Sequence, residues 1–179
     1  DKDYLGDSSL PQDKKERWSN AKNIIAVATG FGVYAVLRAD GRVEAYGSSR
    51  PDMENQADLW RNVTGITSIG KQLIGIHEDG TLSVTVEPED YDTVVTKYVR
   101  HWKNIAFVSA ATGEYRFDKI LVAGLCRDGT VVAADGTGEL DLSGWSQVTQ
   151  VKVVHDRSLT KYAVVGLRKD GKVLFSGNG

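Results

Sequence analysis

Cysteine is almost missing from this chain. The single Cys126 among 179 residues excludes an intrachain disulfide and any zinc site built on several thiolates. Charge of one sign is missing too, since 22 Lys and Arg against 24 Asp and Glu leave a formal net charge of −2. Such a balance offers no global attraction to a phosphate backbone or an acidic membrane, so neither nucleic acid nor membrane is an expected partner. No apolar run approaches the roughly 18 residues of a spanning helix, and the opening DKDYLGDSSL carries no apolar signal-peptide core. Motifs of small-molecule chemistry are equally scarce. No Gly-rich loop opens a helix to hold phosphate, and neither H-E-x-x-H nor EF-hand spacing occurs. His77, His101 and His155 fall at unrelated places in the pattern described below, which speaks against a triad or a metal set. The acidic stretch EPEDYD, residues 87–92, reads as a solvated loop, because a Ca²⁺ site needs about six oxygen ligands in a closed arrangement. The expectation is therefore no enzyme, no metal and no cofactor.

What the chain does have is a repeat. Its length suits one domain with a sizeable core. Asp-Gly recurs in LRADGRVEAYG at Asp40-Gly41, IHEDGTLSV at Asp79-Gly80, LCRDGTVVA at Asp128-Gly129 and LRKDGKVLFSG at Asp170-Gly171, while Asp135-Gly136 falls outside the frame. The interval of about 40 residues is that of one supersecondary unit. Aligned on the Asp, the third residue before it is Leu37, Ile76, Leu125 or Leu167, and the fourth is Val36, Gly75, Gly124 or Gly166. Two residues beyond the Gly stand Val43, Leu82, Val131 and Val173. Asp-Gly between apolar β-forming runs predicts a hairpin in each unit, with a type I′ turn.

A further apolar run precedes each hairpin, opening at Asn23, Asn62, Asn104 and Gln147. Trp60, Trp102 and Trp145 stand just before three of these runs, whereas Trp18 is set back by what reads as a short insertion, WSNAKNI. The unit is tryptophan, strand, loop, strand, Asp-Gly turn, strand. It cannot hide its apolar faces alone and must stack on its neighbours. The fold class expected is all-β: a β-propeller-type array of four blade-like units of three to four strands, forming a partial, open propeller. The units span about 18–50, 51–91, 92–138 and 139–179, after a leader at 1–17. The recurring tryptophans are expected to pack between blades, and the Gly75, Gly124, Gly166 column to let strands approach near the propeller axis. The column of Arg38, His77, Cys126 and Arg168 is expected to face solvent.

The pattern W-x-N-I…G-L-x-x-D-G-x-V-x-x-x-G, with GELDLSGW leading into a tryptophan, resembles the repeats of the regulator of chromosome condensation family over about Trp18 to Gly177. The resemblance implies a β-propeller, usually of seven blades, used mainly as a binding platform, with guanine-nucleotide exchange on a small GTPase in one eukaryotic branch. The histidine often found seven residues before the Asp in that family is replaced by Val33, Gln72, Leu121 and Ala163. No exchange-site or chromatin-binding motif maps onto a residue of this chain, so the exchange activity does not carry over.

Loop length singles out candidate binding residues. Between the strand-opening residue and the turn Asp, the third and fourth units are longer than the first two, through TGEYRFDK at 112–119 and HDRSLTKY at 155–162. Insertions in a repeat array tend to fall on one face and to bind. Tyr115, Arg116, Phe117, Arg157 and Tyr162 are residue types enriched at recognition hot spots and are the expected contacts with a protein partner. The function expected is a non-catalytic interaction scaffold; the alternative is a carbohydrate-binding or carbohydrate-active propeller with Tyr115 and Tyr162 holding sugar rings. Four units leave an open arc with two bare edges. The arc is expected either to self-associate through its terminal blades, around Asp40 and Asp170, or to be a segment of a longer array. The order glycine, paired serines, proline, aspartate in DYLGDSSLPQD, repeated in AYGSSRPD, reads as the end of a preceding blade.

Overall fold

The structure, a computed structural model, describes residues 10–21, 23–30, 32–47, 51–86, 94–112, 120–136, 138–155 and 161–177. Each apolar run of the repeat is a strand, and each repeat is an antiparallel sheet. Blade one holds β1 (Ile24–Gly30), β2 (Val33–Arg38) and β3 (Val43–Gly47); blade two holds β4 (Val63–Ile69), β5 (Gln72–His77) and β6 (Leu82–Val84). Blade three holds β7 (Ile105–Thr112), β8 (Ile120–Cys126), β9 (Val131–Asp135) and a short fourth strand, β10 (Gly138–Glu139). Blade four holds β11 (Val148–His155), β12 (Tyr162–Arg168) and β13 (Val173–Gly177). The architecture is a partial β-propeller of four sheets among the described residues.

The segments between blades are not all loop. Helices α1 (Gln12–Ser19), α2 (Pro51–Ala57) and α3 (Val94–Lys97), followed by a 3₁₀ turn at Val99–His101, precede the first three blades. A strand-period search passes over such short helices, although α2 carries its own signals. Pro51 opens it, where no backbone donor is needed, and Asp52 and Glu54 lie at the positive end of its dipole. Met53 and Ala57 of α2 are buried against blade one, and Val94, Val95 and Val99 are buried in the seam between blades two and three. Helix α1 is tied on by Lys14, whose Nζ donates to Ala45 O at 2.9 Å and pairs with Glu54 at 2.7 Å.

The hairpin turns differ from expectation. Only the glycines have positive φ, at 77°, 81°, 81° and 84° for Gly41, Gly80, Gly129 and Gly171, while the aspartates before them do not. Each loop has three residues. In the first, the N–H of Gly41 donates to Arg38 O at 3.0 Å, and the N–H of Arg38 donates to Arg42 O at 2.9 Å. A type I turn followed by a left-handed glycine replaces the type I′ turn. The Asp earns its place through its side chain: Oδ1 of Asp40, Asp79, Asp128 and Asp170 accepts the backbone N–H two residues on, at 3.1, 2.9, 3.0 and 3.1 Å.

The first three turns also grip the next blade. The N–H of Val63, Ile105 and Val148 donates to the carbonyl of Gly41, Gly80 and Gly129 at 3.1, 3.0 and 2.9 Å. The residue just before each donor, Asn62, Asn104 or Gln147, is left-handed, with φ of 55°, 62° and 56°. Its own carbonyl accepts an N–H from Glu78, Arg127 or Lys169 within its own blade, at 2.8 Å in each case. The sharp backbone there lets consecutive peptide groups serve two blades.

Three apolar clusters form the core, one in each seam. The first joins Leu37, Val43 and Met53 to Trp60, Val63 and Leu73; the second joins Ile74 and Ile76 to Trp102, Ile105 and Val108; the third joins Leu121 and Leu125 to Val148, Val151 and Val164. The tryptophans thus pack between blades, Trp60 and Trp102 buried and Trp145 half-buried. The glycine column has a different purpose from the one expected. A β-carbon on Gly75, Gly124 or Gly166 would stand 2.7, 3.0 or 2.6 Å from the ring of Trp60, Trp102 or Trp145. Glycine makes room for the indole of its own repeat, not for a strand at the axis. Blade one has Val36 in that place, and Trp18 sits instead in α1, its Nε1 donating to Glu44 Oε2 at 2.9 Å.

Candidate functional site

The two inserted loops leave neighbouring blades at the same end. Residues 113–119 join β7 to β8, whose last pair is Thr112 with Ile120; residues 156–161 join β11 to β12, whose last pair is His155 with Tyr162. In blades one and two the matching connections are tight, closing between Gly30 and Val33 and between Ile69 and Gln72. The seam between blades three and four is firmly joined, for the N–H of Val153 donates to the buried Ser109 Oγ at 3.1 Å.

Tyr115, Arg116, Phe117 and Arg157 lie outside the described residues. Tyr162 is the first residue of β12, half-buried at the foot of its loop. Its hydroxyl donates to Asp135 Oδ2 at 2.6 Å. That bond to a carboxylate, helped by burial, raises the phenol from 10.0 to about 12. Asp135 is itself buried at the end of β9, so this pair fastens blade three to blade four. Sequence reasoning set Asp135 aside as an Asp-Gly outside the repeat frame; its being out of register was the available signal.

The column expected to face solvent does not. Cys126 is buried, and desolvation pushes its thiol up from the ordinary value. Arg38, His77 and Arg168 are half-buried and each is engaged. Arg38 is held by Glu44 and Asn23 Oδ1, and Arg168 pairs with Asp170 at 3.3 Å. Both ring nitrogens of His77 are within hydrogen-bond distance of acceptors or hydroxyls, Nδ1 of Arg61 O at 2.8 Å and Nε2 of Ser83 Oγ at 2.7 Å. The column lies at the end of the middle strand, against the linker and the third strand, which is why its members find partners.

A groove between blades one and two is lined by Arg17, Arg38 and Arg61 along with Asp40, Glu44 and Asp58. Burial alone would raise Glu44, but hydrogen bonds from Trp18 and Arg38 and the charges of Arg17 and Arg38 outweigh it and hold the carboxyl below its ordinary value. Glu44 pairs there with both Arg17 and Arg38. Among the described residues no group of three His, Cys, Asp or Glu could hold a metal ion, and no helix is long and apolar enough to cross a membrane. The acidic stretch at 87–92 lies outside the described residues.

Sheets of three or four strands, seams filled by tryptophan on glycine and turns that grip the next blade define a class: β-propeller repeats. No protein-family model matches the chain, and no curated protein matches it. Solved structures do match. Yeast RCC1 (Prp20) bound to Kap60 superposes with a TM-score of 0.56 at 14% identity, covering 88% of this chain and 44% of that one. The structure of Prp20p from Saccharomyces cerevisiae, reported with its binding properties to Gsp1p and histones, gives 0.53 at 16% identity, with 88% and 46% covered. Human WBSCR16 gives 0.55 at 16% identity, with 88% and 48% covered. The fold is that of RCC1-like propeller repeats, and the chain spans less than half the length of these three structures.

Proposed function

We propose that the chain is a non-catalytic protein-interaction module that binds its partner through the loops inserted in the third and fourth repeats. The feature that supports this reading is where the two long connections attach: each joins the first strand of its blade to the second, in adjacent blades whose seam is braced by Ser109 and by the Tyr162–Asp135 pair. A rigid base lowers the entropy cost of presenting the attached loops to a partner. Tyr115, Arg116, Phe117 and Arg157 supply the aromatic and guanidinium groups suited to a protein surface, with Tyr162 anchoring the second loop. The yeast neighbours, whose structures are described with Kap60, Gsp1p and histones, support a protein as the partner class.

The test sets the immobilised chain beside its Arg116→Ala, Arg157→Ala double variant and compares what each retains by quantitative mass spectrometry. Proteins held by the original chain should fall at least about tenfold on the variant, the loss of roughly one hot-spot interaction. The melting curve should not move. Equal retention by the two would remove the loops from the binding surface.

A further inference from the structure

The repeat supplies its own control for what the fold requires. Three places, two at each Asp-Gly turn and one in the linker that follows, can be compared between seams. Between blades one and two they hold Arg38, Arg42 and Arg61; between two and three His77, Thr81 and Lys103; between three and four Cys126, Thr130 and Ser146. All three seams close with the same backbone hydrogen bond to the turn glycine, at 3.1, 3.0 and 2.9 Å. Packing therefore does not call for arginine at any of the three.

The three arginines line one groove, together with the buried Val43. It lies where the middle strand of blade one ends, whereas the long connections of blades three and four enter where the middle strand begins. Arg38 is held by Asn23 and by Glu44, which Arg17 shares. The other two guanidinium groups keep donors that no described residue takes up. Arg42 has 64% of its side chain exposed and stands 3.8 Å from Asp40, a long surface pair worth little. Arg61 donates through Nη1 to the carbonyls of Asp58 and Trp60, at 2.6 and 2.7 Å, and pairs with no carboxylate among the described residues.

An uncovered apolar group belongs to the same linker. Leu59, between Asp58 and Arg61, is 76% exposed, the most of any large apolar side chain among the described residues. Its equivalents are His101 and Gly144, so leucine is no packing requirement either. The acids of the groove narrow the choice of occupant. Asp40, Glu44 and Asp58 stand among the arginines and would repel a continuous run of phosphates, to which a chain of net charge −2 offers no general attraction. A peptide meets both demands, with separate carboxylates for the guanidinium groups and an apolar side chain for Leu59.

We propose that this groove binds an acidic segment of a protein partner, with Arg42 and Arg61 each receiving a carboxylate and Leu59 packing an apolar side chain of the same segment. Guanidinium is suited to the task because two parallel N–H donors meet the two oxygens of a carboxylate. The site uses neither of the long loops of the third and fourth repeats. It stands or falls apart from the function proposed above.

A library of short random peptides selected on the immobilised full chain supplies the probe, and fluorescence polarisation measures how tightly the selected peptides bind. They should carry Asp or Glu together with a large apolar residue, and should bind more weakly as salt rises. Variants take the residue that another seam uses at the same place. Arg42→Thr and Arg61→Ser should each weaken binding at least about tenfold, and Leu59→His should weaken it too. Melting should not move for Arg42→Thr, which decides the matter if Arg61→Ser, in losing its two carbonyl bonds, proves less stable. The Arg116→Ala, Arg157→Ala double variant should bind the peptides as the original chain does. Selection without acidic residues, undiminished binding by Arg42→Thr, or loss of binding in the double variant would each overturn the proposal. So would an oligothymidylate that binds more tightly than the peptides, since it would assign the arginines to phosphate.

Discussion

The indole of Trp60 rests against the α-carbon of Gly75, so closely that a β-carbon there would lie 2.7 Å from Cε3. No real β-carbon tolerates that distance, and the ring is buried in the seam between blades one and two. Gly75→Ala should therefore destabilise by about 1–3 kcal/mol, the usual cost of overpacking a filled site. A denaturant midpoint equal to that of the original chain would show that the ring is not wedged against this backbone.

Trp102 and Gly124 form the same pair one blade further on. Trp102→Ala should cost about 3–5 kcal/mol through lost burial and the void it leaves. Gly124→Ala alone should be destabilising, yet nearly neutral once Trp102 is already Ala, because the added methyl then enters the space the ring vacated. A double-mutant cycle measures this directly, and strict additivity of the two changes would disprove the contact.

Gly129 combines φ of 81° with a close approach to the next blade, where a β-carbon would stand 3.2 Å from Gln147 Cα. Gly129→Val meets both obstacles. Its melting temperature should fall, by an amount reflecting at least about 1–2 kcal/mol of backbone strain alone. The same substitution at Gly171 meets the strain but, among the described residues, no neighbour, so it should be the milder of the two. Equal losses at both positions would mean that the turn does not grip the following blade.

Tyr162 supplies a test in alkali. Its folded phenol titrates at about 12 and its unfolded one near 10, so its contribution to stability is complete below pH 10 and is lost as pH rises toward 12. Subtracting the ultraviolet titration of Tyr162→Phe from that of the original chain should leave one phenol with a midpoint near 12. A midpoint near 10 would mean that the bond to Asp135 is not formed.

Much of this was legible in the chain because it is written locally and four times over. The hairpin before Val43 and the hairpin before Val131 each follow from an Asp-Gly between apolar β-formers, whatever lies around them. Repetition at one interval then demands stacking, since no single unit can bury its own faces. Even the displacement of Trp18 was readable, and Val36 in the glycine column is its structural complement: with a β-carbon there, no indole can lie on that backbone.

The sequence by itself determined the units, their order and the kind of fold. Tertiary structure decided how one unit meets the next. That the carbonyl of Gly80 belongs to Ile105, that glycine at 75 serves a tryptophan, that Cys126 is buried and that Tyr162 is tied to Asp135 are all relations between segments that no local pattern links. The turn shows the division most clearly. Asp40-Gly41 between strands is compatible with two hairpin geometries, and the structure takes the one in which the Asp side chain caps Arg42 and the Gly carbonyl reaches Val63 in the neighbouring blade. Local chemistry allows a small set of conformations, and only the packed neighbour, by supplying a partner for a buried polar group, selects one of them.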